Sequence, residues 1–254
     1  MKNLLVPIIM GLLFSSFTVI PPTPENGSNN SPVISTERNI HPATATADLI
    51  YTASGLEQSG LSKEAFTYAW KGYSYLLQAN KLKKISYLTI CDFSQSSKKK
   101  RLYIIDLDKN ELLINTWVAH GMNSGGEYAS RFSNIAESLQ SSLGFYTTAD
   151  TYIGKHGLSL RLNGVDPGFN DKAYERTIVI HGAAYVDAAR LNAGMYMGRS
   201  WGCPAVPQKE SATIINTIKN GTCFFIYHPS RNYLLNSKIL NYGSAAEAGQ
   251  EVND

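Results

Sequence analysis

Three hydrophobic patterns succeed one another along the chain. Residues 4–20 are almost entirely apolar, broken only by Pro7, Gly11 and three hydroxyl residues, with Lys2 ahead of them. A positive charge before such a run reads as an export signal, and about 17–25 apolar residues also suffice for an uncleaved anchor across a bilayer. No cysteine follows the run, which argues against a lipoprotein. Residues 21–47 are rich in Pro, Ser, Thr and Asn and too poor in apolar side chains to order a backbone, so they read as a flexible tether. His41 falls in this tether and is given no catalytic role.

The second pattern has helical spacing. Ser62 can cap a helix over residues 63–77, in which Phe66, Ala69, Trp70, Tyr73, Leu76 and Leu77 share one face. Such an aromatic stripe can hold a ligand, but docking on a core is the simpler reading. The third pattern is strand-like: residues 87–93, 102–107 and 112–119, separated by the turn segments SQSSKKK and DKN, predict two consecutive hairpins. The charge run Lys98, Lys99, Lys100 and Arg101 is expected to be a solvated hairpin tip. Further strands are predicted at 144–148, 158–162, 176–181 and 222–227. One late helix is predicted at 210–219, with Ile214, Ile215 and Ile218 inward and Asn220-Gly221 as its stop.

The sum is a mainly β (α+β) domain. A helical lead-in at 48–84 packs on a β-rich body at 85–235, and a flexible tail occupies 236–254.

Composition narrows the function. A formal charge of +3 over 254 residues is too mild for an electrostatic nucleic-acid binder. The three cysteines, Cys91, Cys203 and Cys223, make neither a disulfide framework nor a Cys-x-x-Cys site. Cys91 and Cys223 lie inside apolar strands, where they are two buried thiols or, in an oxidising compartment, one disulfide. Cys203 is different: it sits in the turn Gly198-Arg199-Ser200-Trp201-Gly202-Cys203-Pro204. A cysteine between chain breakers is poorly placed for packing and well placed for exposure.

The segment Ile178-Val179-Ile180-His181-Gly182 ends a buried apolar strand in a histidine. A strand end is a rigid mount, and the glycine after it admits another chain at close range. A cysteine and a distant histidine form the set that a thiol nucleophile needs: the imidazole takes the thiol proton and returns it to the leaving group. Pro204 has no N–H, so the oxyanion donors of such a site would be the backbone N–H groups of Cys203, Gly202 and Trp201. The plain alternative is an odd free thiol in a loop.

IVIHG and GRSWGCPAV together resemble the catalytic signature of the L,D-transpeptidase (YkuD-like) family, and more closely its murein L,D-transpeptidase catalytic domain subgroup. The resemblance runs from near Leu61 to about Tyr227. It includes ISYLTICDF, KKRLYIIDL, NTWVAHGMNSGG, FSN, SSLGFYTT, TYIGKHGLSLRL and HGAAYV.

The resemblance implies that Cys203 is the nucleophile, holding a stem tetrapeptide as a thioester, and that His181 activates it. It implies that the Gly182 carbonyl orients the imidazole. Ser200, Gly202 and Cys203 then match the family's Ser-His-Gly-Cys turn. A β-sandwich or barrel-like fold is implied, with the cysteine in a cleft under a flap, and no metal or organic cofactor. The implied partners are peptidoglycan stem peptides and, as covalent inhibitors, carbapenem-type β-lactams. An exported, periplasmic or cell-envelope enzyme is implied, touching a membrane only through residues 4–20 if these are retained. Three features depart from the pattern: Trp201 stands where the wider family has histidine, Pro204-Ala205 follow the cysteine, and eighteen residues separate His181 from Ser200.

Other polar residues are weaker candidates. Arg199 can hold a peptide carboxylate through its planar fork or make a surface ion pair. Tyr146 and Tyr152 can wall the cleft or pack in the core, and Tyr146 is retained as a substrate contact. His120 and His156, each before a glycine, can line the cleft. A three-histidine zinc site with His181 is not expected, since no carboxylate motif supports it. Water as acceptor would make the enzyme an L,D-carboxypeptidase. A wall-binding module without catalysis and a thiol peptidase acting on proteins are the remaining readings.

Overall fold

The computed structural model describes residues 44–242. The apolar run at 4–20, most of the tether and the last dozen residues lie outside the described residues. Eight strands make one sheet: β1 (Tyr87–Asp92), β2 (Leu102–Asp106), β3 (Glu111–Thr116), β4 (Gly144–Gly154), β5 (Gly157–Gly164), β6 (Val179–Ala183), β7 (Ala205–Pro207) and β8 (Cys223–Tyr227). Their order is β3-β2-β1-β8-β4-β5-β6-β7. The two ends of this sheet approach each other. Past β3 the chain pairs with β7, Ala119 N–H donating to the Ala205 carbonyl at 2.8 Å and Ala205 N–H to that of Ala119 at 3.3 Å. The sheet is therefore a nearly closed barrel, which covers the edges that an open sheet would leave unpaired.

The apolar runs follow from burial on both faces. β2 and β8 are buried at every position and β1 at all but its first, so these strands show no alternation. Helix α2 (Lys63–Gln78) covers one side. Ser62 Oγ accepts from Ala65 N–H at 3.1 Å, as a capping serine should. Phe66, Ala69, Trp70, Tyr73 and Leu76 are buried, so the aromatic stripe is a docking face. Gly72 lies so close to the Phe145 ring that an added Cβ would stand 2.0 Å from its Cζ. On the other side α4 (Ser211–Ile218) buries Ile214, Ile215 and Ile218, and Asn220 (φ 70°) and Gly221 (φ 95°) end it in the left-handed region.

Several expectations change. Helix α1 (Thr44–Ala53) begins inside the stretch assigned to the tether, and α3 (Ala188–Asn192) and α5 (Arg231–Asn236) join α4, so there is not one late helix but three. Strand β7 carries no readable period, because its three residues follow Pro204 and end in Pro207. The tail expected from residue 236 is folded as far as 242: Ser237, Ile239 and Leu240 are buried, and Ser237 and Tyr233 donate to the buried Asp166 carboxylate, each at 2.8 Å.

Arg101, placed by charge at a solvated tip, is fully buried. Its guanidinium donates to the carbonyls of Gln95 and Val118 and to His120 Nδ1, and lies 4.8 Å over Phe93. Cys91 and Cys223 are separate free thiols. The parallel register sets Cys223 beside Leu88 and Cys91 beside Ile226. At roughly 3.3 Å per residue the two are about 10 Å apart along the strands, beyond the Cα separation of about 7 Å that a disulfide tolerates.

Candidate active site

β6 and β7 run parallel with His181 opposite Ala205. Cys203, two residues before Ala205, therefore comes beside Val179, two residues before His181. Its Sγ receives the Val179 N–H at 3.5 Å and donates toward the Thr177 carbonyl at 3.8 Å. Thr177 adopts φ 53°, a conformation that costs a β-branched residue of order 1–3 kcal/mol and that aims this carbonyl at the thiol.

His181 is buried, and its Nδ1 lies 2.9 Å from the carbonyl of Gly182. A carbonyl only accepts, so Nδ1 carries the proton and Nε2 presents a lone pair. Gly182 answers a need for space: an added Cβ would stand 2.6 Å from Ser211 Oγ at the start of α4.

Burial lowers the His181 pKa below its ordinary 6.5, and His156 and Lys155 add to the effect against the Gly182 hydrogen bond. The half-buried Cys203 thiol is pushed up by desolvation, against the Val179 N–H and the charge of Arg176. At neutral pH the two groups are a thiol and a neutral imidazole rather than an ion pair. Deprotonation of the sulfur must then accompany its attack.

Ser200 braces the turn. Its Oγ donates to the Cys203 carbonyl at 2.6 Å and accepts from Gly202 N–H at 3.1 Å, while its own N–H donates to the His120 carbonyl at 3.0 Å. Gly202 N–H is thus committed and is not the oxyanion donor expected of it. The N–H that reaches the sulfur is that of Val179. Gly202 holds φ 126°, with its carbonyl accepting from Ser141 Oγ at 3.0 Å.

Cys203 and His181 line one cavity of about 670 Å³, with Tyr152, Thr177, Tyr185 and Trp201 among its walls. Trp201 is 69% exposed at the mouth. Arg199 lines the same cavity, and its Nη1 donates to the carbonyls of Gly125 and Met122 at 3.1 and 3.4 Å. Tyr146 does not reach it. The side chain is fully buried, its hydroxyl donating to the Ser142 carbonyl at 3.0 Å, so its expected substrate contact is withdrawn.

His120 is buried outside the cavity. Arg101 Nη2, which only donates, lies 2.7 Å from its Nδ1, so this ring is neutral with its proton on Nε2. Burial and Arg101 push its pKa down to about 4. His156 does line the cavity. Among the described residues no three His, Cys, Asp or Glu side chains form a set that could hold a metal ion.

Sequence reasoning missed Val179, Thr177, Lys155 and Arg176. Arg176 ties the wall to the loop before β4, donating to the carbonyls of Ser133 and Gln140 and to the hydroxyls of Ser138 and Ser142. The local pattern places it at the start of a strand over 176–181, whereas β6 begins at Val179. His156, before a glycine, is expected as a cleft residue, but nothing local marks Lys155 beside it as a neighbour of the same site.

The family model described as the L,D-transpeptidase catalytic domain (YkuD_2) matches residues 57–227. No curated protein matches. Solved structures similar to this chain include an L,D-transpeptidase from Mycobacterium smegmatis, at 10% identity and a TM-score of 0.35, with 56% of this chain and 59% of that one covered. An L,D-transpeptidase in complex with imipenem is similar at 11% identity and a TM-score of 0.36, with 56% and 59% covered. The helical cell shape determining protein Pgp2 from Campylobacter jejuni is similar at 15% identity and a TM-score of 0.37, with 65% and 57% covered. The chain thus spans less than two thirds of the length of each of these three.

Proposed function

The chain belongs to the L,D-transpeptidase catalytic domain family, and from that premise we propose that it is a peptidoglycan L,D-transpeptidase with Cys203 as nucleophile. One observation carries the proposal. Cys203, in the turn leading into β7, and His181 on β6 open into a single cavity, with the imidazole fixed through Nδ1 so that Nε2 is the free base. About 670 Å³ is room for several residues of a peptide.

In the proposed reaction Cys203 Sγ attacks the carbonyl carbon before the terminal D-residue of a stem tetrapeptide as its proton passes to His181 Nε2. The negative charge develops on the substrate carbonyl oxygen, and the backbone N–H groups of Cys203 and Trp201 in the active turn are its donors. Collapse breaks the amide bond, His181 returns the proton to the departing amine, and a thioester remains. The amine of a second stem attacks that thioester, His181 takes the amine's proton, and the thiol is restored as the cross-link forms.

Incubation with disaccharide-tetrapeptide should give a dimeric product by mass spectrometry, and Cys203→Ala should abolish it. A product lacking only the terminal residue would make the enzyme an L,D-carboxypeptidase. Binding without any product would leave a wall-binding module, and turnover of protein substrates alone would indicate a thiol peptidase. Because an L,D-transpeptidase is known with imipenem bound, we propose that carbapenems acylate Cys203, with a matching mass increase. Export through residues 4–20 belongs to the same proposal and is tested by fractionation of cells producing the full chain.

A further inference from the structure

The tip of the β4–β5 hairpin carries two side chains that this reaction leaves unused. Gly154 pairs with Gly157 at the hairpin's end, and Lys155 and His156 form the turn between them, closed by Gly157 at φ 76°. Both side chains are exposed, and Ile153 just before them is 78% exposed. The tip nevertheless has two definite contacts. Lys155 Nζ lies 4.7 Å over the Trp201 ring, and the His156 ring stacks on that of His181 with centroids 4.3 Å apart and planes 21° from parallel. Consecutive residues of one turn thus rest on the two segments that carry the proposed chemistry.

We propose that the hairpin tip is a clasp, in which His156 is the positioning residue of His181 and Lys155 on Trp201 holds it in place. This rests on the transpeptidase reading above. The physical need is plain. A single hydrogen bond from Nδ1 to the Gly182 carbonyl leaves the imidazole free to tilt about that bond, and tilting redirects Nε2 within the cavity it shares with Cys203. A flat ring stacked at 4.3 Å on one face blocks the tilt sterically on that side. It also keeps water from that face. A misplacement of about 1 Å at a reacting group can cost a hundredfold in rate.

His181 has other ionisable neighbours. Besides His156 and Lys155 from the tip, the cavity receives Glu137, Tyr152, Arg176, Tyr185, Arg199 and Cys203. Burial, then His156 and Lys155, set the downward shift of His181. Truncating His156 admits water to the buried imidazole and removes its electrostatic influence, and both changes move His181 back up toward its ordinary value.

The test uses the full-length protein and two variants, His156→Ala and His156→Phe, with His181 followed by histidine ¹⁵N NMR titration. In parallel, acylation of Cys203 by disaccharide-tetrapeptide is timed by mass spectrometry in single turnover. His156→Ala should slow acylation by about tenfold and raise the His181 midpoint, with thermal unfolding unchanged because the residue is exposed. His156→Phe, which keeps a flat ring on the imidazole, should restore acylation to within about threefold and raise the midpoint less. A His156→Ala protein with an unmoved His181 midpoint overturns the proposal, as does a His156→Phe protein as slow as His156→Ala. If wild-type protein is not acylated at all, the transpeptidase reading falls, while the titration still decides whether His156 sets the environment of His181.

Discussion

Replacing Gly182 by alanine tests how closely the imidazole depends on the packing beneath it. The backbone there is ordinary, so the substitution acts only through space. The new Cβ would stand 2.6 Å from Ser211 Oγ, 2.9 Å from Ser211 Cβ and 3.0 Å from Gln208 Cδ. Gln208 can swing aside, but Ser211 is the first residue of α4, whose three isoleucines anchor it in the core. To reach ordinary contact β6 and α4 must part by about 0.8 Å, and Gly182 carries the carbonyl that His181 Nδ1 holds.

A shift of that size exceeds the tolerance of about 0.5 Å for a catalytic constellation, so acylation of Cys203 should slow by roughly 10- to 100-fold. Overpacking should also remove about 1–3 kcal/mol of stability, read from the urea midpoint. The double variant Gly182→Ala/Ser211→Gly removes the obstructing side chain and should recover most of the acylation rate, the two sites coupling as contacting residues do. A single variant within twofold of wild type in rate would refute the reasoning, and so would a double variant no better than the single.

Three further outcomes follow from the same geometry. Gly72→Ala should destabilise the protein by about 1–3 kcal/mol in thermal unfolding, although alanine favours a helix by about 1 kcal/mol: its Cβ would meet Phe145, which cannot retreat because it stacks on Phe225 at 4.1 Å. Ser200→Ala leaves Gly202 N–H and the Cys203 carbonyl without their partner, so alkylation of Cys203 by iodoacetamide should slow severalfold and stability should fall by about 1–3 kcal/mol. His120 gives a pH dependence: its folded pKa of about 4 lies below the unfolded value of about 6.5, so between these values the unfolded chain binds more protons. Stability should therefore fall as pH drops from about 6.5 to 4, by about 3 kcal/mol from this residue, with no further loss from it below pH 4, as followed by urea midpoints.

Sequence and structure divide the molecule along the range of the forces involved. Helix α2 and its cap, the doubly buried strands β1, β2 and β8, and the end of α4 at Asn220-Gly221 were all legible, because periodicity and turn chemistry act over a few residues. So were the two chemical segments: a histidine closing an apolar strand and a cysteine between glycine and proline stand out from their immediate neighbours.

What lay beyond reading was set by partners distant in the chain. Arg101 resembles the three lysines before it, yet it is buried because Val118 and His120, seventeen and nineteen residues on, offer it acceptors. Tyr146 has the makings of a cleft residue, but β4 turns its side chain into the core. Gly202 N–H was a reasonable oxyanion donor until Ser200 folded back to claim it, and the donor that reaches the sulfur, Val179 N–H, comes from a strand that local pattern cannot place beside Cys203.

The sequence by itself determined the candidate nucleophile and its histidine, and the longer strands and helices α2 and α4, since these depend on residue type and spacing. Only the tertiary structure decided that β7 would close the sheet against Ala119, set Cys203 beside β6, and carry the tip of a hairpin onto His181. Those outcomes depend on register and packing between segments tens of residues apart, where many pairings satisfy the local pattern and only mutual burial selects one.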